Sequence, residues 1–308
     1  MTVPVAQRAT SLRLVRSDGR EMSFGGSWSG EWAVEWEGTS DLVTLPVSIE
    51  TSANVLGDGS RLVSKRVGEC DRTASVIYVG RRDPQSVRDE ALSFFNPKHS
   101  FQLHVTHLGR TRWCEGELSD VECRLTPGRY PCRVTFTLLC LDPYMRSEDG
   151  NEAEFGDAKP MLGWPYVSHV REVGPSGERY PVGNPVGTLV YDGLNTVYNS
   201  GDVPTYYRVR IRAAGGDLVN PKVTKDGRFV RLLTTLKHDD VAEVDFESSP
   251  PKVTVNGRNA INLCSRDSNF TGMRMQVGAN VFGFEIDNPG NRAFAHVQVL
   301  FTRKYLGV

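Results

Sequence analysis

The run CRVTFTLLCLDPY, residues 132–144, decides the fold class. It mixes β-branched and aromatic residues over a strand's length, and Asp142-Pro143 closes it because proline cannot donate to a ladder. Its nearly continuous apolar centre predicts a strand buried on both faces. Upstream, WSGEWAVEWEG at 28–38 alternates with period two. Trp28, Trp32, Val34 and Trp36 share one parity, while Ser29, Glu31, Glu35 and Glu37 share the other, as on a half-buried strand. LRLVRSDGREMSF at 12–24 reads as a hairpin in which Asp18-Gly19 supplies a tight two-residue turn. LVTLPVSIE, TASVIYVG and FQLHVTHLG add further strands.

A single helix interrupts this pattern. Asp83 offers an N-cap, Pro84 fits the first helical position, and Val87, Ala91, Leu92 and Phe95 recur at helical spacing until Asn96-Pro97 stops the run. Downstream of Met145 the composition turns acidic and turn-rich, with RSEDGNEAEFGDAKP followed by GPSG and PVGNPVG. This places a first domain at 1–145, a linker or arm at 146–194 and a second domain at 195–308. The second domain is again strand after strand. In PTYYRVRIRAAG, Tyr207, Val209, Ile211 and Ala213 alternate with Arg208, Arg210 and Arg212, giving one apolar and one basic face. DGRFVRLLTTL, DDVAEVDFES, TGMRMQVG, NVFGFEID and AHVQVLFTRKYL have strand character, and Asn256-Gly257 is the strongest hairpin signal. The class is therefore mainly β in two domains, with no fixed repeat that would suggest a solenoid or propeller.

Composition excludes several functions. The 308 residues carry 36 Lys+Arg against 37 Asp+Glu, a net charge of −1, so no global basic field exists to hold nucleic acid or an anionic membrane. No apolar run reaches the 18 residues of a membrane-spanning helix, and the N-terminus has no leader-like pattern. Thirty glycines and seventeen prolines, spread along the chain, fit many turns between strands. Six cysteines, at 70, 114, 123, 132, 140 and 264, form no Cys-x-x-Cys pair and point to buried free thiols in a reducing cytosol.

The search for chemistry yields little. His104 and His107 are three apart and so face opposite sides of a strand, which prevents them from sharing a metal. His238-Asp239-Asp240 reads as a solvated turn in which aspartates bond nearby amides, although it would be the first place to look for a hydrolase. Gly25-Gly26 and Gly215-Gly216 join strands and do not open a helix, so neither forms a phosphate cradle. No catalytic residue, cofactor or metal is assigned. Two binding features remain: a row of Trp28, Trp32 and Trp36, able to stack sugars, cap an interface or fill a core, and the Arg208/Arg210/Arg212 stripe, able to face acidic groups or solvent.

The order of these features resembles the distal tail proteins of long non-contractile-tailed bacteriophages. Three stretches carry the resemblance: VTFTLLCLDPY at 134–144; TVYNSGDVPTYYRVRI at 196–211, with an Asn-x-Gly at 199–201; and EVDFESSPPKVTVNGRNAINL at 243–263 followed by SNFTGMRMQVGANVFGFEI, with a turn at Val277-Gly278-Ala279-Asn280. Tyr207 stands where the family commonly has proline, and 146–194 matches least well. The resemblance implies a β-sandwich or barrel-like N-terminal domain with one helix, building a ring, and a C-terminal galectin-like β-sandwich. It implies a structural virion protein at the tail tip, made in the bacterial cytoplasm. Its partners would be copies of itself in a homohexamer, the tail tube protein, the tail-associated hub and a receptor-binding protein. No catalytic residues come with the family. The alternative is a carbohydrate-binding module that attaches to the host surface.

Overall fold

A computed structural model describes residues 10–25, 30–35, 39, 42, 45–54, 57–125, 132–148, 151–155, 158–160, 171–173, 179–181, 187–189 and 194–307. The chain divides into two compact units, Met1–Asp149 with Arg303–Val308, and Gly150–Thr302.

In the first unit, β1 (Thr10–Arg16), β2 (Glu21–Phe24), β3 (Trp32–Glu35), β4 (Val47–Ala53), β5 (Ser60–Val67) and β6 (Cys70–Tyr78) precede helix α1 (Pro84–Phe94). The remaining strands are β7 (Ser100–His107), β8 (Arg110–Leu125), β9 (Cys132–Cys140) and β10 (Met145–Ser147). The main sheet runs β2-β1-β7-β8-β9-β6-β3, and its ends meet where Gly25 bridges Ala33 in parallel, so the sheet nearly closes into a barrel. The β1–β2 connection is a three-residue loop, not the expected two-residue turn. The Gly19 amide donates to Arg16 O, and only Gly19 takes positive φ, at +87°, as in a type I turn with a glycine bulge.

Strand β9 corrects the expectation of burial on both faces. Cys132, Val134, Phe136, Leu138 and Cys140 are each 0% exposed, whereas Thr135, Thr137 and Leu139 are half-buried and Arg133 is exposed. The threonines that made the run look continuous sit on the outer face. Helix α1 is capped as read: the Asp83 carboxylate accepts from Ser86 N at 2.9 Å, and Pro84 opens the helix. It buries Val87, Ala91 and Phe94 but leaves Leu92 39% exposed, and Phe95 is buried just past its end. An aromatic chain fills the core. Trp32 packs on Phe24 and Tyr78 at 6.1 and 5.3 Å, Phe136 on Phe95 at 5.0 Å, and Phe94 on Phe101 at 5.9 Å.

The second unit opens with β11 (Asn151–Phe155), then the short pairs β12 (Ala158–Pro160) with β15 (Gly187–Leu189) and β13 (Arg171–Val173) with β14 (Arg179–Pro181). Next come β16 (Leu194–Asn199), β17 (Tyr207–Ala213), β18 (Leu218–Val219), β19 (Lys222–Lys225), β20 (Arg228–Arg231) and β21 (Thr235–Leu236). The unit ends with β22 (Val241–Asp245), β23 (Lys252–Val255), β24 (Arg258–Asn259), β25 (Gly278–Glu285) and β26 (Ala295–Phe301). A sheet β11-β26-β17-β22-β23-β24 and a sheet β16-β25-β19-β20 share one core, in which Tyr207 from the first meets Phe282 from the second at 5.2 Å. This is a β-sandwich. Two type I′ turns shape it: Asn256-Gly257 between β23 and β24, as read, and Asp226-Gly227 between β19 and β20, each with both residues at positive φ.

TGMRMQVG is not a strand. Met273 and Met275 are buried, but Gly272 and Gly278 at φ +75° and +91° bracket the stretch, and it pairs only through an isolated bridge from Met275 to Thr205. AHVQVLFTRKYL is broken as well. Its first seven residues form β26, and a last strand, β27 (Lys304–Tyr305), pairs with β10 of the first unit.

Candidate interaction site

The two binding features end in different settings. Trp32 is 6% exposed and committed to the core by Phe24 and Tyr78, while Trp28 and Trp36 lie outside the described residues. Arg208, Arg210 and Arg212 stand on the outer face of β17, because the apolar parity of that strand is consumed by the sandwich core. Carboxylates of the same chain answer them. Arg210 Nε and Nη2 donate to Glu243 Oε2 at 3.2 and 3.1 Å, and Arg208 approaches Glu243 and Glu247 at 3.7 and 3.2 Å. Arg212 donates to Asp239 at 2.8 Å. Glu243 is placed by the register, directly opposite Arg210 on β22. The hydrogen bond from Arg212, helped by His238, holds the Asp239 carboxyl below its usual range. A cleft of about 590 Å³ lies over this face, lined by Arg210, Arg212, Asp239, Glu243, His296 and Gln298. With cations and carboxylates interleaved, it offers paired donors and acceptors and no excess of either sign.

His238-Asp239-Asp240 forms a turn. Asp240 accepts from Lys237 N at 2.8 Å and from Asn256 Nδ2 at 2.7 Å, and Asn256 in turn accepts from Val241 N at 2.9 Å. These bonds hold the Asp240 carboxyl below its usual range and tie this turn to the Asn256-Gly257 hairpin. His104 and His107 also stay apart. His104 contacts Glu148 at 2.7 Å and stacks near Trp113 at 6.0 Å, whereas His107 pairs with Thr10 at 2.6 Å. Among the described residues no group of three or more His, Cys, Asp or Glu is set to hold a metal ion, and no helix is long and apolar enough to cross a membrane.

The six cysteines are free. Cys114 and Cys140 bring their sulfurs to 3.8 Å, and Cys123 and Cys132 to 3.7 Å. Burial first, then the neighbouring Cys123, pushes the Cys132 thiol up to about 12. Arg72, 0% exposed on β6, donates to Pro143 O at 2.8 Å and to Leu42 O, and so fixes the Asp-Pro end of β9 from inside.

The motif residues that carried the resemblance prove structural. Asn199 is 0% exposed, accepts from Gly201 N at 2.9 Å and donates to Val203 O at 3.3 Å, which shapes the Asn-x-Gly turn before β17. Asn280 accepts from Gln276 N and donates to Gln276 O, each at 2.8 Å, and locks the turn that leads into β25. Burial pushes the Tyr207 hydroxyl well above its usual range.

Two features escaped the sequence reading. The first is a charged cluster around Asp142, which accepts from Lys304 at 2.7 Å and from Arg146 at 3.2 Å, while Arg146 also reaches Glu115 at 3.2 Å. It borders a cleft of about 680 Å³ with Gln102, Glu115, Glu117 and Arg146 in its wall. Burial alone would raise Asp142, but the Lys304 bond and charge, with Arg146, outweigh it and bring the carboxyl below its usual range. The second is the hairpin β4–β5, a separate two-stranded sheet in which every residue of β4 is exposed. Its alternation was visible only in part: of LVTLPVSIE, Val47–Glu50 lie in the strand.

Residues 200–305 match the family model described as the siphovirus-type tail component, C-terminal domain, which bears out the resemblance drawn from the sequence. No curated protein matches the chain. Among solved structures, the Dit (gp 19.1) protein of SPP1, described as a paradigm of hub adsorption apparatus in phages infecting Gram-positive bacteria, is similar with a TM-score of 0.62 at 13% identity, covering 95% of this chain and 98% of that one. Chains of the phage P2 baseplate in its activated conformation, with Ca and with Sr, are similar with TM-scores of 0.53 at 9% and 11% identity, covering 97% of this chain and 99% of each. At these identities the likeness is one of fold.

Proposed function

We propose that this protein is a structural subunit of a phage tail tip, forming a ring at the distal end of the tail tube and joining the tube to the hub or baseplate below. The observation that carries the reading is the match of residues 200–305 to the tail-component family, made within a chain of which 95% shares the fold of the SPP1 Dit protein. The described residues support it further. Their motif asparagines and tyrosine build turns and core, and the side chains that looked catalytic are spent on turns and ion pairs. In this reading the first unit builds a homohexameric ring, and the partners are the tail tube protein, the hub and a receptor-binding protein. The near-neutral net charge of −1 lets copies pack without large self-repulsion.

The test is the purified chain in sedimentation velocity and negative-stain imaging, with labelling of its position on assembled particles. Rings, and label at the tail tip, are the expected result. A strict monomer that never joins tails, even with its neighbours present, overturns the reading.

The cleft over Arg210, Arg212 and Glu243 favours one second reading, a saccharide site on the sandwich, since its paired donors and acceptors suit hydroxyl groups. Glycan binding that disappears in Arg210→Ala with the fold intact would support it, and absence of any glycan affinity removes it.

A further inference from the structure

Strands β8 and β9 carry four of the six cysteines, and their sulfurs meet in two pairs toward opposite ends of the ladder. Register sets Cys123 opposite Val134 and Leu125 opposite Cys132, so Cys123 and Cys132 are diagonal neighbours on one face. That face is the inner one, since Cys132 and Val134 are each 0% exposed. Diagonal neighbours ordinarily lie about 7–8 Å apart, but one diagonal of a twisted ladder is shorter than the other. Here the sulfurs stand at 3.7 Å.

Access separates the two pairs. Cys114 and Cys140 are 1% and 0% exposed, and Cys70, directly opposite Cys140 on β6, is 5% exposed, so these three thiols are enclosed in the core of the first unit. Cys123 is half-buried and lies two residues before β8 ends, where local opening exposes a thiol at least cost.

We infer that Cys123 and Cys132 are a disulfide-forming pair, reduced in the cytosol and closed by a small-molecule disulfide once the protein has left it. That departure is the one element taken from the proposed function; the pairing itself needs only the geometry of the first unit. The Cys123 thiolate attacks one sulfur of glutathione disulfide, giving a mixed disulfide and releasing one glutathione thiolate. The Cys132 thiolate then attacks Cys123 Sγ and expels the second. The two cysteines lose two protons and two electrons, and the single oxidant molecule leaves as two molecules of glutathione. The sulfurs must close from 3.7 Å to about 2.05 Å, which asks for side-chain rotation with the strand register unchanged. Burial pushes both thiols up, Cys132 to about 12, while Arg88 on α1 favours both thiolates and Asp89 opposes that of Cys123. The attack is therefore slow at neutral pH and quickens as the pH rises. Once formed, the bond fastens the end of β8, the longest of the described strands, to its neighbour.

The test is the native full-length chain incubated with glutathione disulfide, alkylated, digested with trypsin and a glutamate-specific protease, and mapped by mass spectrometry. The double digestion separates Cys114 from Cys123. The expected product links Cys123 to Cys132 with the loss of two hydrogens, and Cys70, Cys114 and Cys140 become alkylated only after unfolding. Cys264, half-buried with no second sulfur in contact among the described residues, should stop at the glutathione adduct, and so should Cys123 in Cys132→Ala. The linked product should form at least about tenfold faster at pH 9 than at pH 7. Amides of residues 121–125 should exchange more slowly in the linked form and recover on reduction. An adduct that persists on Cys123 of the wild type, six thiols that all remain alkylatable, or amide exchange that is the same in the linked and reduced forms overturns the inference. None of these outcomes touches the proposed tail role, which is decided by rings and label at the tail tip.

Discussion

Two strands of this protein, YRVRIRA at 207–213 and SRLVSKRV at 60–67, both mix apolar with basic residues, and they reach opposite ends. In β17, Tyr207, Val209, Ile211 and Ala213 are at most 1% exposed, and each arginine meets an acidic side chain of the same unit. In β5, Leu62 and Val63 are more than half exposed, and the cations find no acid among the described residues. Binary pattern thus specifies a strand with two chemically distinct faces, and nothing in it says whether a second sheet of the same chain will cover the apolar one. For β17 the sheet containing β25 and Phe282 does so. For β5 no described residue of the chain does so.

The largest way to break this comparison is to truncate both apolar faces. Ile211→Ala should cost about 2–5 kcal/mol in denaturant unfolding of the chain, as for a fully buried aliphatic side chain. Ile49→Ala should stay within about 0.5 kcal/mol under conditions where the chain is dispersed. Equal losses would mean that the hairpin already has a core.

A second, smaller effect sharpens the contrast between answered and unanswered charges. The Asp142 carboxyl, 25% exposed and bonded to Lys304 and Arg146, should make Asp142→Asn about 1–2 kcal/mol less stable at neutral pH. Because its folded pKa lies below the unfolded one, the stabilisation is present above about pH 4 and disappears as the pH falls through the folded value. Melting curves of wild type and variant should therefore converge in acid. A constant gap from pH 7 down to strong acid would show that the loss is one of packing.

The turns differ likewise. Gly257 at φ +75° closes a hairpin inside the sandwich, so Gly257→Ala should cost about 1 kcal/mol. Gly59→Ala, at φ +91° in the exposed hairpin, should leave the global transition in place and alter only local hydrogen exchange. The smallest effect belongs to the fully exposed pair Arg212–Asp239, where Arg212→Ala should leave the melting temperature unchanged.

Much of the fold was legible in the residues. The Asp83-Pro84 cap, the Asn256-Gly257 turn and the parity of β17 are local signals, and each keeps its meaning in the structure. Readings went astray where a local pattern had two physical outcomes. Threonine is β-forming and small enough to pass for core, so the outer face of β9 read as buried. Met273 and Met275 alternate like a strand, yet glycines at positive φ leave them no ladder to join. The arginine stripe was plain, but Glu243 lies more than 30 residues away, and only the antiparallel register of β17 with β22 brings it opposite Arg210.

By itself, then, the sequence determined a mainly β chain in two domains with one capped helix, a near-neutral charge and a turn-rich run of strands, because alternation, capping and turn chemistry act over a few residues. It also carried the order of motifs that resembles tail proteins. Tertiary structure alone decided that Trp32 is core, that the β17 arginines are neutralised, that the last residues return to β10 through Lys304 and Tyr305, and that the described residues leave one amphipathic hairpin exposed. Those outcomes depend on which distant strands pair and in what register, and the cost of closing such long loops is offset only by the assembled core.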